Sequence, residues 1–173
     1  MRWPSSSHEL FKGRRCRIIL LCHQAAFAWE RNLDRTLPTV VPMIAYEDAS
    51  KAIEWLARAF GFVEFARMTG DDGRVAHAEL RLGEGVIFVA SPSPAYQSPD
   101  HHAEQCSAAR TWQASPWVID GILVFVDDVD AHFRRAEGAG AVMLSALEDG
   151  FPARRYRVKD CEGHRWMFMQ RGS

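Results

Sequence analysis

The sequence has no cysteine framework. Its four cysteines (Cys16, Cys22, Cys106, Cys161) are scattered and none form a C-x-x-C pair. A disulfide scaffold or zinc ribbon is therefore not expected, and a reducing, cytoplasmic setting is. It has no charge excess, with 21 Lys and Arg against 22 Asp and Glu. Nothing there drives binding to a phosphate backbone, so a nucleic-acid partner is not expected. No apolar run approaches the ~18–20 residues needed to cross a bilayer, so no membrane span is expected either. Phosphate-binding and dinucleotide glycine motifs are missing, and Gly83-Glu84-Gly85 is too short to serve as one. No Ser-His-Asp order stands out. What remains is a chain of ordinary globular composition, 47% hydrophobic and 25% charged over 173 residues.

Residues 1–37 read differently from the rest. They hold seven basic and three acidic residues, and the remainder of the chain is net acidic. Arg14-Arg15-Cys16-Arg17 ahead of Ile18–Cys22, with Ala26-Phe27-Ala28 beyond, weakly echoes a secretory signal. His23, Gln24 and the early Glu9 argue against one. The segment reads as an N-terminal extension outside the core.

From Pro38 the pattern sharpens. Val40–Tyr46 reads as a strand. Asp48 or Ser50 caps a helix over 51–60, and Gly61 stops it. Phe62–Met68, Arg74–Leu82 and Val86–Ser91 read as strands, with a hairpin turn at Gly70-Asp71-Asp72-Gly73. The order then recurs. Gly121–Val126 is a strand, and Asp127-Asp128 opens a helix that ends at Gly138-Ala139-Gly140. Strands follow at Ala141–Leu147, Arg154–Lys159 and His164–Gln170. Gly61 and Gly140 mark equivalent helix stops, so this is an internal repeat. The expected organisation is an extension (1–37), a first βαβββ module (38–92), a linker loop (93–120) and a second module (121–171).

One such module makes a curved sheet with a helix on one face and nothing on the other. Two modules can close their bare faces around a cleft, which makes a small-molecule site the natural product of the repeat. The expected fold class is α+β, with tandem βαβββ modules forming a curved eight-stranded sheet around a shared cleft and helices outside.

The residues that carry a family resemblance are Val41–Tyr46 with Ala52–Leu56, then Phe60-Gly61-Phe62, His77–Leu80 and Gly83–Phe88. In the second half they are Val124–Asp130, Ala136–Ala141 and the closing Val158-Lys159-Asp160-Cys161-Glu162-Gly163-His164-Arg165-Trp166. Together they resemble the vicinal oxygen chelate superfamily, which includes glyoxalase I, extradiol dioxygenases, fosfomycin-resistance enzymes and bleomycin-binding proteins. The terminal D-x-x-G stretch is the most specific part.

The resemblance implies a divalent metal held by His and Glu from the first and last strands of each module. Carried over by motif, those positions fall at Val41, Phe88, Gly121 and Met167. None of the four is a His or a carboxylate, and of the one-residue slips only Asp120, a weak ligand, changes that. The resemblance thus implies a metal-less, bleomycin-resistance-like binder of a hydrophobic or aromatic molecule, of the resistance or sequestration type, and a homodimer. The alternative is a metal-dependent lyase, isomerase or dioxygenase with ligands elsewhere.

Strand alternation places Met43, Ala45, Phe88, Ala90, Leu123, Phe125, Arg165, Met167 and Met169 toward the cleft. Flexible methionines suit an aromatic ligand, although apolar inward residues also simply fill cores. His77 and Glu79 share a strand face with Arg81 and are the candidate base and orienter. A polar outer row is the commoner meaning of such spacing. His101, His102 and Cys106 are read as solvated loop residues. Asp127, Asp128 and Asp130 are read as helix-start acids, and Arg154, Arg155 and Arg157 as protection of an edge strand. His164 is read as structural.

Overall fold

The computed structural model describes residues 37–115 and 121–172. The N-terminal reading, including its signal-like features, and Asp120 lie outside the described residues. A compact unit spans Pro38–Ser173.

The first half runs β1 (Met43–Ala45), α1 (Ala49–Phe60), β2 (Val63–Thr69), β3 (Val75–Leu82) and β4 (Gly85–Ala90). Helix α1 begins where the Asp48 carboxylate accepts the Lys51 N–H at 3.1 Å. It ends at Gly61, whose φ of 84° suits only a residue without Cβ. Its buried stripe of Ala52, Ile53, Leu56, Ala59 and Phe60 covers one face of the sheet. The connector carries α2 (Pro99–Gln105) and α3 (Ser107–Gln113). The second half runs β5 (Gly121–Val126), α4 (Val129–Gly138), β6 (Val142–Met143), β7 (Arg155–Lys159) and β8 (Arg165–Gln170).

The strands form two four-stranded sheets rather than one eight-stranded sheet, ordered β1-β4-β3-β2 and β5-β8-β7-β6. The identical order, with a parallel first-to-last pair in each sheet, is the structural form of the sequence repeat. Helices α1 and α4 pack on one another, and one core cluster takes in the helix-covered faces of both modules. Phe60 of α1 meets Trp166 and Phe168 of β8 at ring distances of 5.4 and 4.8 Å. His132 of α4 is pinned across this junction. Its Nε2 donates to the Phe60 carbonyl at 3.0 Å, and its Nδ1 meets the Tyr156 hydroxyl at 2.6 Å.

The closing D-x-x-G stretch is a polar knot between the modules. Buried Asp160 accepts from Tyr46 Oη at 2.6 Å and Trp166 Nε1 at 3.0 Å. The backbone N–H groups of Glu162 and His164 also donate to it. The Glu162 carboxylate accepts the N–H of Glu47 at 2.7 Å and of Asp48 at 3.1 Å, and so caps the approach to α1. His164 Nε2 donates to the Ala45 carbonyl at 2.9 Å, the structural role expected of it.

Several sequence expectations need correction. Strand β1 is shorter than expected, because the Pro42 nitrogen has no hydrogen to add to a ladder. Strand β6 is cut to two residues. The connector is not a plain loop. Ser98 caps α2 and Pro99 opens it, a helix-start signal outweighed by the polar composition. Strand β7 lies between β8 and β6, so its arginines do not guard an edge.

Candidate functional site

Each sheet has one face against helix and one face open. In the first sheet Glu79 lies opposite Phe88, and Phe88 lies beside Met43, so all three point to the same side. Alternation adds His77, Ala90, Ala45, Arg81 and Val86 to that side. In the second sheet Leu123 lies beside Met167 and Phe125 beside Met169, with Arg155, Arg157 and Lys159 on the next strand. The structure therefore brings Met43, Ala45, Phe88 and Ala90 together on one open face. Leu123, Phe125, Arg165, Met167 and Met169 come together on the other.

These faces hold most of the chain's exposed large apolar side chains among the described residues. Met43 is 79% exposed, Leu123 48% and Phe125 47%. Val63, Phe65, Met68 and Val142 join them. A surface that keeps its apolar side chains in water over a broad, continuous sheet face marks a binding surface.

On the first face a cavity of about 210 Å³ is lined by Met43, Ala45, Ala76, His77, Phe88 and Ala90. The His77 ring meets the Phe88 ring edge-on at 4.6 Å. Burial pushes the His77 pKa down, partly opposed by the Glu79 charge. A neutral imidazole beside an apolar wall follows. Glu79 is only 2% exposed. The row His77, Glu79, Arg81 lies on the helix-free face, with His77 and Arg81 part-exposed and Glu79 buried between them. Phe65 also reaches this face, because a β-bulge between Glu64 and Ala66 re-aims it. A bulge leaves no residue-level signature, so sequence reasoning could not find Phe65.

Arg165 is on the open side of β8, but its guanidinium is engaged with the connector. It donates to the carbonyls of Ser115 and Gln113 at 2.6 Å and of Trp112 at 3.3 Å. Met169 is buried against its neighbours. The basic residues of β7 are matched with acids, Arg157 with Glu148 at 2.8 Å and Lys159 with Asp100 at 2.7 Å. Arg154, on the other side, pairs with Asp130 and Asp149. Asp128 caps α4 as expected.

His101 and His102 belong to α2 rather than to a loop. His101 Nδ1 bonds Glu47 at 2.8 Å, which also takes the Ser98 N–H. Those hydrogen bonds, that from Ser98 first, hold the Glu47 carboxyl below its ordinary pKa. Cys106 terminates α2.

Phe88 and Met167 sit on the open faces where the resemblance puts metal ligands, and neither they nor Val41 and Gly121 are His or carboxylate residues. Among the described residues no three His, Cys, Asp or Glu side chains converge. The donor set does not fit the divalent ion of the family's metalloenzymes.

Residues 37–168 match the profile of the Glyoxalase/Bleomycin resistance protein/Dioxygenase superfamily. An uncharacterised protein of Mycobacterium bovis is 33% identical over 138 residues, covering 77% of this chain and 83% of that protein. TioX from Micromonospora sp. ML1 is 32% identical in sequence. Its crystal structure aligns with a TM-score of 0.57 over 79% of this chain and 98% of TioX. TnmS3, described as an antibiotic binding protein from Streptomyces sp. CB03234, aligns at 0.52 with 17% identity, over 80% of this chain and all of that one. At that identity the likeness speaks for the fold.

Proposed function

The chain belongs to the glyoxalase/bleomycin resistance/dioxygenase superfamily, and from that premise we propose that it binds a hydrophobic or aromatic small molecule on its open sheet faces without a metal. It acts in this reading as a sequestering, resistance-type protein of the cytoplasm. No helix among the described residues is long and apolar enough to cross a membrane.

One observation carries the proposal: the exposed Met43, Leu123 and Phe125 all fall on the sheet faces turned away from α1 and α4. Methionine and phenylalanine offer a polarisable, adaptable surface to a planar ring system. The fold is shared with an antibiotic binding protein, which is in keeping with this reading. A second copy of the chain completes the site by covering one open face with the other, in the homodimer expected from the family.

The first test is elemental analysis of the purified protein, as isolated and after incubation with Zn, Ni, Mn and Fe(II) and desalting. The expected result is no retained metal. One equivalent per chain, with turnover abolished by a chelator, overturns the proposal. Sedimentation of the Leu123→Lys/Phe125→Lys double variant tests the pairing, with a shift from dimer to monomer expected.

A second reading is favoured by His77, a neutral imidazole in an apolar cavity with a buried carboxylate two residues away. That pair suits a proton-transfer role in a lyase or isomerase. It fails if the His77→Ala/Glu79→Ala variant keeps every measurable activity of the wild type.

A further inference from the structure

We propose that Arg81 is the specificity-determining residue of the open face, and that the ligand class is a planar aromatic molecule carrying an oxygen acceptor at its edge. The acceptor is a carbonyl, phenolate or carboxylate oxygen. The inference rests on the binding role proposed above and names what that site selects.

Arg81 lies near the end of β3, opposite Val63 on one side and Val86 on the other. It shares the open face with Glu79 and Phe88. The bulge that re-aims Phe65 places its ring under the Arg81 guanidinium, with Cζ 3.6 Å from the ring centroid. One flat face of the guanidinium is thereby stacked. The side chain remains 32% exposed, against 3% for its acidic neighbour Glu79.

Among the described residues the guanidinium is short of acceptors. Its nearest carboxylate oxygen, Glu79 Oε2, is 3.7 Å from Nη2, which is beyond hydrogen-bond length. Its Nε is buried and meets no hydrogen-bond partner among the described residues. The other arginines of the open faces are engaged. Arg165 takes three carbonyls, and Arg157 takes Glu148. A buried N–H with no acceptor is rare in a folded protein and carries a desolvation penalty. Here it sits on the apolar surface read as the ligand platform, with half the stacking geometry already built.

A ligand ring laid across Phe88 and Met43 with an oxygen at its edge would meet the part-exposed Nη end of that guanidinium. Glu79 offsets the Arg81 charge, so a neutral carbonyl serves as well as an anion. A cationic edge would be repelled by the guanidinium. The fork geometry matters as well as the charge, since lysine offers neither a flat stacking face nor an Nε–H.

The test is titration of the full-length protein with two probes built on one ring system, 2-naphthoate and 2-aminonaphthalene, followed by fluorescence. The first presents oxygen acceptors and the second presents donors on the same ring system. Wild type is expected to bind 2-naphthoate at least about tenfold more tightly, the range for a charge-assisted hydrogen bond. Arg81→Met and Arg81→Lys should both lose that preference, through weaker binding of 2-naphthoate. Urea midpoints equal to wild type confirm that both variants fold. Equal binding of the two probes to wild type, or a preference that survives in Arg81→Met, overturns the role of Arg81 and leaves the binding reading standing. Retention of the preference in Arg81→Lys overturns the role of the planar fork. If neither probe binds wild type, the parent reading fails and this one fails with it.

Discussion

Replacing Tyr46 with Phe removes one oxygen from the knot that joins the modules. Tyr46 is fully buried, and its hydroxyl donates to Asp160 across 114 residues of sequence. A hydrogen bond to a charged group contributes about 1.5–3 kcal/mol net. Phenylalanine keeps the ring and its contacts, so little is added for packing. Asp160 keeps donors from Trp166, Glu162 and His164, so the larger cost of an abandoned buried charge, about 3–5 kcal/mol, is not reached. The expected loss is about 2 kcal/mol, which for a chain of this size lowers Tm by roughly 4–8 °C. Urea unfolding followed by circular dichroism reads it directly, with the slope unchanged. The pH dependence gives a second signature. Burial, and then the Asp160 charge, raise the Tyr46 pKa well above its ordinary value. A raised pKa contributes stability that is complete below the unfolded value near 10 and is lost as pH climbs above it. Tyr46→Phe should lack that alkaline loss. A destabilisation under about 0.5 kcal/mol, or an alkaline limb identical to wild type, refutes the view that this bond ties the modules.

Gly163 has φ of 92°, and a Cβ there would lie 2.5 Å from Asp100 Cγ. Gly163→Ala should cost about 1–3 kcal/mol in urea unfolding and disturb the Lys159–Asp100 pair. His77 and His132 both have pKa values lowered, by burial first. The unfolded chain therefore binds more protons, and stability present above about pH 6.5 is lost as pH falls below it. The urea midpoint should drop between pH 7.5 and 5.5, and the His77→Gln/His132→Gln variant should flatten that slope. Arg165→Met deletes the donors to Trp112, Gln113 and Ser115. Limited proteolysis should then cut within 107–115 well before the sheets, and an unchanged digestion pattern counts against Arg165 as the connector's clamp.

Much of the architecture was legible because periodicity is a local property. Helix α1 announces itself through Asp48, the apolar stripe and Gly61, each within reach of its neighbours in sequence. The recurrence of that arrangement before Gly140 revealed the repeat, and alternation put Met43, Phe88, Leu123 and Met167 on the open faces. Other features required the chain to fold back on itself. The bulge that places Phe65 under Arg81 depends on how β2 pairs with β3. The burial of Glu79, on a strand whose spacing suggested an outer row, depends on its neighbours across the sheet. Arg165 has the alternation of a ligand-facing residue, yet its partners lie about fifty positions earlier in the connector.

By itself, then, the sequence determined the elements, their repetition and the chemistry available at each strand position. These follow from backbone preferences and from the periods of 3.6 and 2. Only the tertiary structure decided that α1 and α4 pack together, that the strands form two sheets, and that the connector engages Arg165 and Lys159 on the second of them. It also decided that the Arg81 Nε meets no acceptor among the described residues. Those outcomes arise from contacts between residues far apart in the chain. Their free energies depend on burial and geometry, which no local pattern encodes.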